Sequence, residues 1–442
     1  MLCAREMKKT IALLLIILLP TLVAAQVNQA TQSRPIVFNH VTVIDVRTAA
    51  LKSGMTVIVR GNRIAAIGKT GKLKVPKDAE IIDASGKFLI PGLWDMHTHF
   101  GTDDFDKNSH LRLFVANGVT GIRIMDGEPE YHLWRRETEI GNLLAPRMLI
   151  ASRVIGFGDL SNISETKTRA EVRRAKQEGA DFIKVHDYLS RESYFALIDE
   201  AKRLELPVEG HVPTSITAAE ASQSGQKSIE HFTGLDEAKS DDIKAEALIS
   251  VLKKNHTWLC PTIIMRSNYA SLDDKSFAED TRLKYVKPSW KKRWLNMTKD
   301  AVNTPADEWL KRRELVRNEK ALVGKMQRAG VRVLAGTDDA NPYVFPGFSL
   351  HDELAMLVEA GLTPMHALQA ATFNAAKFFN KSDSLGTIEK GKLADLILLD
   401  ANPLDNIGNT KKINAVVLNG RLFDRNALDK LLADVENAAK GK

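Results

Sequence analysis

Eight short apolar runs recur between residues 89 and 339, and an amphipathic stretch follows almost every one. They read "LIPGLWDMH", "GVTGIRIMD", "RMLIASRVI", "DFIKVHD", "LPVEGHV", "KSIEHF", "TWLCPTIIM" and "VRVLAGTDD". Each is short, rich in Val, Ile and Leu and bounded by turn residues, as buried strands are. Stretches such as "TRAEVRRAKQEGA", "SYFALIDEAKRLE" and "ELVRNEKALVGKMQRAG" carry helical periodicity between them. Alternation of strand and helix calls for a parallel sheet with helical crossovers. Eight repeats predict an α/β fold built on a (β/α)8, TIM-like barrel over residues 89–385. In such a ring the C-terminal ends of all strands meet at one mouth, so residues far apart in sequence become neighbours there.

The segments outside that span read differently. Residues 36 to 90 alternate apolar and polar positions between Gly-Asn and Ser-Gly turns, and "GTIEKGKLADLILLD" and "AVVLNGRLFD" repeat the pattern near the end of the chain. These predict one small β-sandwich domain built from both termini, residues 26–88 and 386–425, followed by a solvent-facing helical tail over 426–442. One long interruption, residues 265–320, separates the seventh and eighth runs and carries Trp290, Trp294 and Trp309 on a charged background. It reads equally as a cover over the strand ends or as a peripheral helical pair.

The first residues predict a destination. A basic start at Lys8 and Lys9, an apolar stretch and a small-residue end at Val23-Ala24-Ala25 form a secretory signal peptide over residues 1–25, cleaved before Gln26. Pro20 interrupts the apolar stretch, which is short for a spanning helix, so no stable membrane anchor is expected after cleavage. The expectation is an exported protein, periplasmic or secreted. Cys3 would leave with the signal, and Cys260, inside an apolar run, reads as a small buried hydrophobe without a disulfide partner. The net charge of +7 is spread over 442 residues without a block of like charge, which gives no support to a nucleic-acid partner. A small-molecule substrate is expected, and a homo-oligomer is left open.

The chemistry gathers at the ends of the runs. The first ends in His97 and His99, which share a face because strand side chains alternate. The fourth carries Lys184 and His186, the fifth His211, the sixth His231 and the eighth Asp338. A single strand-end histidine is ordinarily a satisfied core or rim residue, and Lys184 alone would read as a rim lysine paired with Asp181 or Asp187. Imidazoles from three strands, with a lysine and a carboxylate, together predict a metal site. Asp339 points to the opposite face and reads as a loop anchor. His186 shares the face of Lys184 and reads either as substrate-facing or as a support. His40, His110, His132, His256, His351 and His366 fall outside the set, as surface or helix residues. Arg123, Tyr188 and Tyr343 stand where substrate contacts would, and equally where packing residues would.

"GLWDMHTH", "FIKVH", "EGHV", "IEHF" and "AGTDD", in that order, resemble the motifs of the amidohydrolase superfamily of metal-dependent hydrolases. "SLGTIEKGKLADLILLDANPL" is similar to the closing segment of that superfamily's β domain. The branch most resembled holds imidazolonepropionase-like proteins and Xaa-Pro dipeptidases. The resemblance implies two divalent metal ions, zinc by default with manganese, cobalt or iron also fitting the ligands. His97, His99 and Asp338 would hold one ion, His211 and His231 the other, and Lys184 would bridge them as a carbamate made with carbon dioxide. It implies hydrolysis of an amide-type C–N bond, in a dipeptide, an N-acyl amino acid or a cyclic amide, by hydroxide generated between the ions, with Asp338 as general acid and base. The same centre would serve a lactonase or a phosphotriesterase. A non-catalytic exported binding protein that kept the barrel is the alternative from another class.

Overall fold

The computed structural model describes residues 34–441, so the expected signal peptide lies outside the described residues. Seven of the eight runs form strands: Leu93–Thr98, Val119–Ile124, Arg147–Ile150, Ile183–Val185, Val208–Gly210, Ser228–Glu230 and Trp258–Cys260. The first three pair in parallel, as do the last four. A parallel bridge between Ala151 and Phe182 joins the two groups, and another joins Leu259 to Val333. The path then returns to its start, because Met96 N donates to the Ala335 carbonyl at 2.9 Å and Asp338 N to that of His97 at 2.8 Å. Strands Leu93–Thr98 and Val119–Ile124 are buried at every position, as strands covered on both faces must be.

The eighth run departs from a regular strand. It holds one bridge, at Val333, and no ladder beyond it. Gly336 lies against the neighbouring runs: a β-carbon there would stand 2.6 Å from Cys260 Sγ and 2.8 Å from His97 N. Only glycine lets the eighth run press this closely on its neighbours. Two residues on, Asp338 takes a left-handed conformation, φ +59°, which turns the chain out of strand geometry.

Helices lie between the strands with locally encoded ends. Glu165–Glu178 starts at Ser164, whose hydroxyl accepts from Lys167 N, and stops at left-handed Gly179. Ala218–Ser224 opens with a reciprocal capping box between Thr217 and Glu220.

The terminal segments pair into one connected sheet of eight strands. Its order is Arg421–Asp424, Ile413–Leu418, Leu396–Leu399, Phe88–Pro91, Ile36–Asp45, Ala50–Arg60 and Arg63–Lys69, with Glu80–Asp83 alongside Ile36–Asp45. Leu89 sits opposite Leu398, so residues remote in sequence share one ladder just before the chain enters the ring at Leu93. The last helix, Arg425–Ala439, buries Leu428 and Val435 and so is not free in solvent along its whole face. Among the described residues, no helix is long and apolar enough to cross a membrane.

The long interruption folds into the helices Ile263–Tyr269, Pro288–Ala301 and the first half of Ala306–Ala329. It has its own apolar cluster, in which Trp294 and Trp309 pack with Leu272, Leu283, Val286, Tyr343 and Phe345. Lys287 Nζ reaches Asp103 and Asp106 at 3.0 and 2.7 Å, and Arg293 Nη2 donates to the Ala340 carbonyl at 2.8 Å. The segment therefore lies against the loops that follow the first and eighth runs, which is the covering position rather than a peripheral one.

Candidate metal centre and active site

The strand ends open into a cavity of about 650 Å³. His99, Lys184, His186, His211, His231, Asp338 and Asp339 line it, with Asp126, Glu128, Arg153, Phe157, Arg293 and Asn341 on the surrounding loops. His97 is fully buried directly behind that wall.

Three imidazoles converge on one carboxylate. His97 Nε2 and His99 Nε2 lie 3.6 and 3.5 Å from Asp338 Oδ1, and His231 Nε2 lies 3.7 Å from Asp338 Oδ2. These separations are too long for hydrogen bonds. His97 Nε2 is buried with no hydrogen-bond partner at all. A buried ring nitrogen left orphaned beside a carboxylate is costly unless something else bonds it.

The opposite nitrogens of three rings are engaged from outside. His97 Nδ1 meets Glu230 Oε2 at 2.9 Å, His211 Nδ1 meets Asp187 Oδ1 at 2.8 Å, and His231 Nδ1 meets Thr262 Oγ1 at 2.6 Å. His99 Nδ1 faces Asp126 Oδ1 at 3.6 Å. A partner on Nδ1 fixes the ring and leaves Nε2 to bond a cation, which is how metal-ligating histidines are held. The donor set, the spacing and the orphaned His97 nitrogen thus fit a divalent metal. The ligand atoms of His97, His231 and Asp338 lie within 4.8 Å of one another, as do those of His186, Asp187 and His211. Asp187 thereby stands beside the second set, where the sequence offered only the two histidines His211 and His231.

Lys184 is 1 % exposed and lines the cavity, and burial lowers its amine below the usual lysine range. The surface-paired alternative for it does not hold. Asp181 pairs with Arg135 at 2.6 Å and Asp187 with His211, and Lys184 has no ion pair among the described residues. Gly210, at φ +134°, packs against it: a β-carbon there would stand 3.1 Å from Lys184 Cδ and 2.2 Å from the Val185 carbonyl. Burial also raises the Asp338 carboxyl, against the lowering influence of His99 and Lys184. It pushes His186 down to about 4, with Asp187 opposing. The His186 ring lies 3.9 Å, centre to centre, from that of His211 and faces the cavity.

Other expectations sort cleanly. Asp339 anchors its loop by accepting from His99 N at 2.7 Å. Arg123 is no substrate contact: it is wholly buried beneath the site, donating to Glu209 and to both oxygens of Glu230 at 2.8 Å. Tyr343 is also buried, bonded to Thr298 at 2.6 Å, and Tyr188 is exposed away from the cavity wall. Cys260 is buried and burial pushes its thiol well up, which suits an inert core residue. The roles of Glu230, Asp126 and Asp187 behind the histidines escape a reading of the sequence. Each directly follows or precedes a strand-end residue, and that adjacency is the available signal.

Residues 88–423 match the amidohydrolase family. The chain belongs to that family. The ochratoxinase of Aspergillus niger is 26% identical over 402 residues, covering 76% of this chain and 75% of its own. A 5-methylthioadenosine/S-adenosylhomocysteine deaminase of Thermoanaerobacter pseudethanolicus is 21% identical over 88% of this chain and 95% of its own. Among solved structures, a bottromycin amidohydrolase superposes with TM-score 0.75 at 25% identity, over 92% of this chain and 91% of that one. A Xaa-Pro dipeptidase with bound methionine shares the fold, with TM-score 0.68 at 22% identity over 88% and 100%. This amidohydrolase has a TIM-barrel-type fold of mixed α/β content and is a hydrolase acting on carbon–nitrogen bonds.

Proposed function

We propose that this chain is an exported, metal-dependent amidohydrolase that cleaves the amide bond of a dipeptide or N-acyl amino acid at a two-metal centre. The observation that carries the reading is the ring of imidazole Nε2 atoms standing 3.5–3.7 Å from Asp338, with His97 and His231 each held from behind through Nδ1. His97, His99 and Asp338 would hold one ion, His211 and His231 the other, and Lys184 as a carbamate would bridge them. A buried, ion-pair-free lysine suits that role, since carbamate formation needs a neutral amine and gives two oxygens to share. Zinc is the default, and manganese, cobalt or iron would also suit these ligands. Divalent cations held there would supply Lewis acidity and lower the pKa of water toward neutrality.

The residues divide the remaining work. Asp338 accepts a proton from the attacking water as its oxygen bonds the amide carbon. It then returns that proton to the departing nitrogen as the C–N bond breaks. Glu230, fixed by Arg123, keeps the proton of His97 on Nδ1 and so keeps Nε2 facing inward. Lys184 on the cavity wall favours this reading over a deaminase, which would not need a bridging group. The finer architecture goes with it: a (β/α)8 barrel over residues 89–385 carrying a β-sandwich of residues 26–88 and 386–425. The signal-like residues 1–25 support export to the periplasm or beyond.

The test is a panel of N-blocked dipeptides, N-acyl amino acids, cyclic amides, lactones and phosphotriesters offered to metal-replete protein, with Asp338→Asn as control. Turnover of amides that vanishes in the variant supports the proposal. Turnover of lactones or phosphotriesters alone would replace the substrate class, and inertness across the panel would favour a binding role.

A further inference from the structure

Two guanidinium groups reach the cavity wall, and they are not equivalent. Arg153 is committed, with Nη2 at 2.9 and 2.8 Å from the two oxygens of Asp159. Arg293 has no carboxylate within ion-pair distance among the described residues, and donates only from Nη2 to the Ala340 carbonyl at 2.8 Å. Its other N–H groups are uncommitted.

Arg293 is exposed at the rim of the cavity, on a helix that is itself held in place. It projects from the helix Pro288–Ala301, whose next residue, Trp294, is fully buried with ring centres 5.6 and 5.5 Å from Tyr343 and Phe345. Side-chain packing on that scale fixes the helix over the mouth. Ala340, the partner of Arg293, is two residues beyond Asp338 in a loop with left-handed residues at Asp338, Ala340 and Tyr343. The guanidinium therefore stands on the same side of the cavity as the proton-transferring carboxylate.

That placement has a chemical consequence for an amide hydrolase. Asp338 must deliver its proton to the departing nitrogen. In a dipeptide or N-acyl amino acid, that nitrogen is separated from the leaving group's carboxylate by one carbon atom. A group that binds this carboxylate must then stand on the Asp338 side of the cavity, where Arg293 reaches the Ala340 carbonyl. Of the acidic groups nearby, Asp159 pairs with Arg153, Asp339 accepts from His99 N, and Asp126 faces His99 across 3.6 Å. Glu128 is the remaining wall carboxylate, and it belongs to the loop after the second strand.

We infer that Arg293, supplied by the inserted helix, binds the free carboxylate of the leaving amino acid and selects substrates with an unblocked C-terminus. The inference rests on the amide-hydrolase reading above. Planar guanidinium matches carboxylate geometry in a way that lysine does not, so the residue type matters as well as the charge.

The experiment compares N-acyl amino acids with their C-terminal carboxamides, using metal-replete full-length protein. Wild type should prefer the free acids by roughly 10–100-fold in kcat/KM, with most of the difference in KM. Arg293→Ala should lose that preference, Arg293→Lys should keep part of it, and Arg293→Glu should favour the carboxamides. Preference retained in Arg293→Ala would overturn the inference. So would an equal loss on both members of each pair, which would make Arg293 merely a brace for the Ala340 loop. Failure of wild type to hydrolyse either member of any pair would overturn the proposed function itself, and the inference with it.

Discussion

His97 and His351 are both buried, aromatic-sized and polar, yet they do opposite things. His351, on the helix Phe348–Glu359, has Nδ1 at 3.0 Å from Thr410 Oγ1 and Nε2 at 3.0 Å from the Asn117 carbonyl. Both nitrogens are satisfied within the protein, and the ring ties a helix to its surroundings. His97 has one nitrogen against Glu230, and the other faces Asp338 across 3.6 Å with no hydrogen bond. Burial alone does not mark a functional histidine. An unpartnered nitrogen aimed at a carboxylate and at other unpartnered nitrogens does.

The sharpest way to break this comparison is to remove its centre. Asp338→Asn should lower kcat/KM by roughly 10²–10⁴-fold, the range for loss of a general acid–base group, in steady-state assays on an amide substrate. His351→Gln should leave kcat/KM within a few-fold of wild type. Equal losses in the two variants would erase the distinction between the regions.

Next in size is an effect on stability to which His351 contributes from outside the cavity. Burial lowers its pKa from 6.5 to about 4. Between those values the unfolded chain binds a proton that the folded chain refuses, so stability is full above pH 6.5 and falls as pH drops toward 4. The loss at the lower end is about 3 kcal/mol, because each tenfold weakening of proton affinity is worth ~1.4 kcal/mol. Urea unfolding from pH 7 to pH 4 should show this slope in wild type and a shallower one in His351→Gln. An unchanged slope would remove His351 from the account of acid sensitivity.

A smaller effect probes the support behind His97. Glu230→Gln should weaken metal affinity by about 10–100-fold, as loss of a partner to a ligating histidine does, without changing the ligands themselves. Competition with a chelator measures it. No change in affinity would mean that the 2.9 Å contact orients nothing of consequence.

Much of the architecture and of the site is legible in the order of residues alone. The repeating runs carry the strand–helix alternation, and period two puts His97 and His99 on one face. The order of His97, Lys184, His211, His231 and Asp338 along successive runs is enough to gather them at one mouth. What stays hidden depends on contacts that local pattern does not encode. Arg123 lies 107 residues from Glu230, and nothing about "GIRIMD" shows that its guanidinium lies beneath the ring rather than in the cavity. The close approach of the eighth run to Cys260 and His97 at Gly336 exists only in three dimensions. The inserted segment shows its tryptophans but not where they pin it. Arg293 therefore looks like one cation among several in "KKRWLN".

The central claim is that the orphaned nitrogens around Asp338 hold two ions bridged through Lys184. Elemental analysis of metal-replete protein measures this most directly, with wild type, His351→Gln and Lys184→Ala purified in parallel. The account predicts two equivalents of divalent metal per chain in wild type and His351→Gln, and about one in Lys184→Ala. A single equivalent in wild type, unchanged by Lys184→Ala, would contradict it.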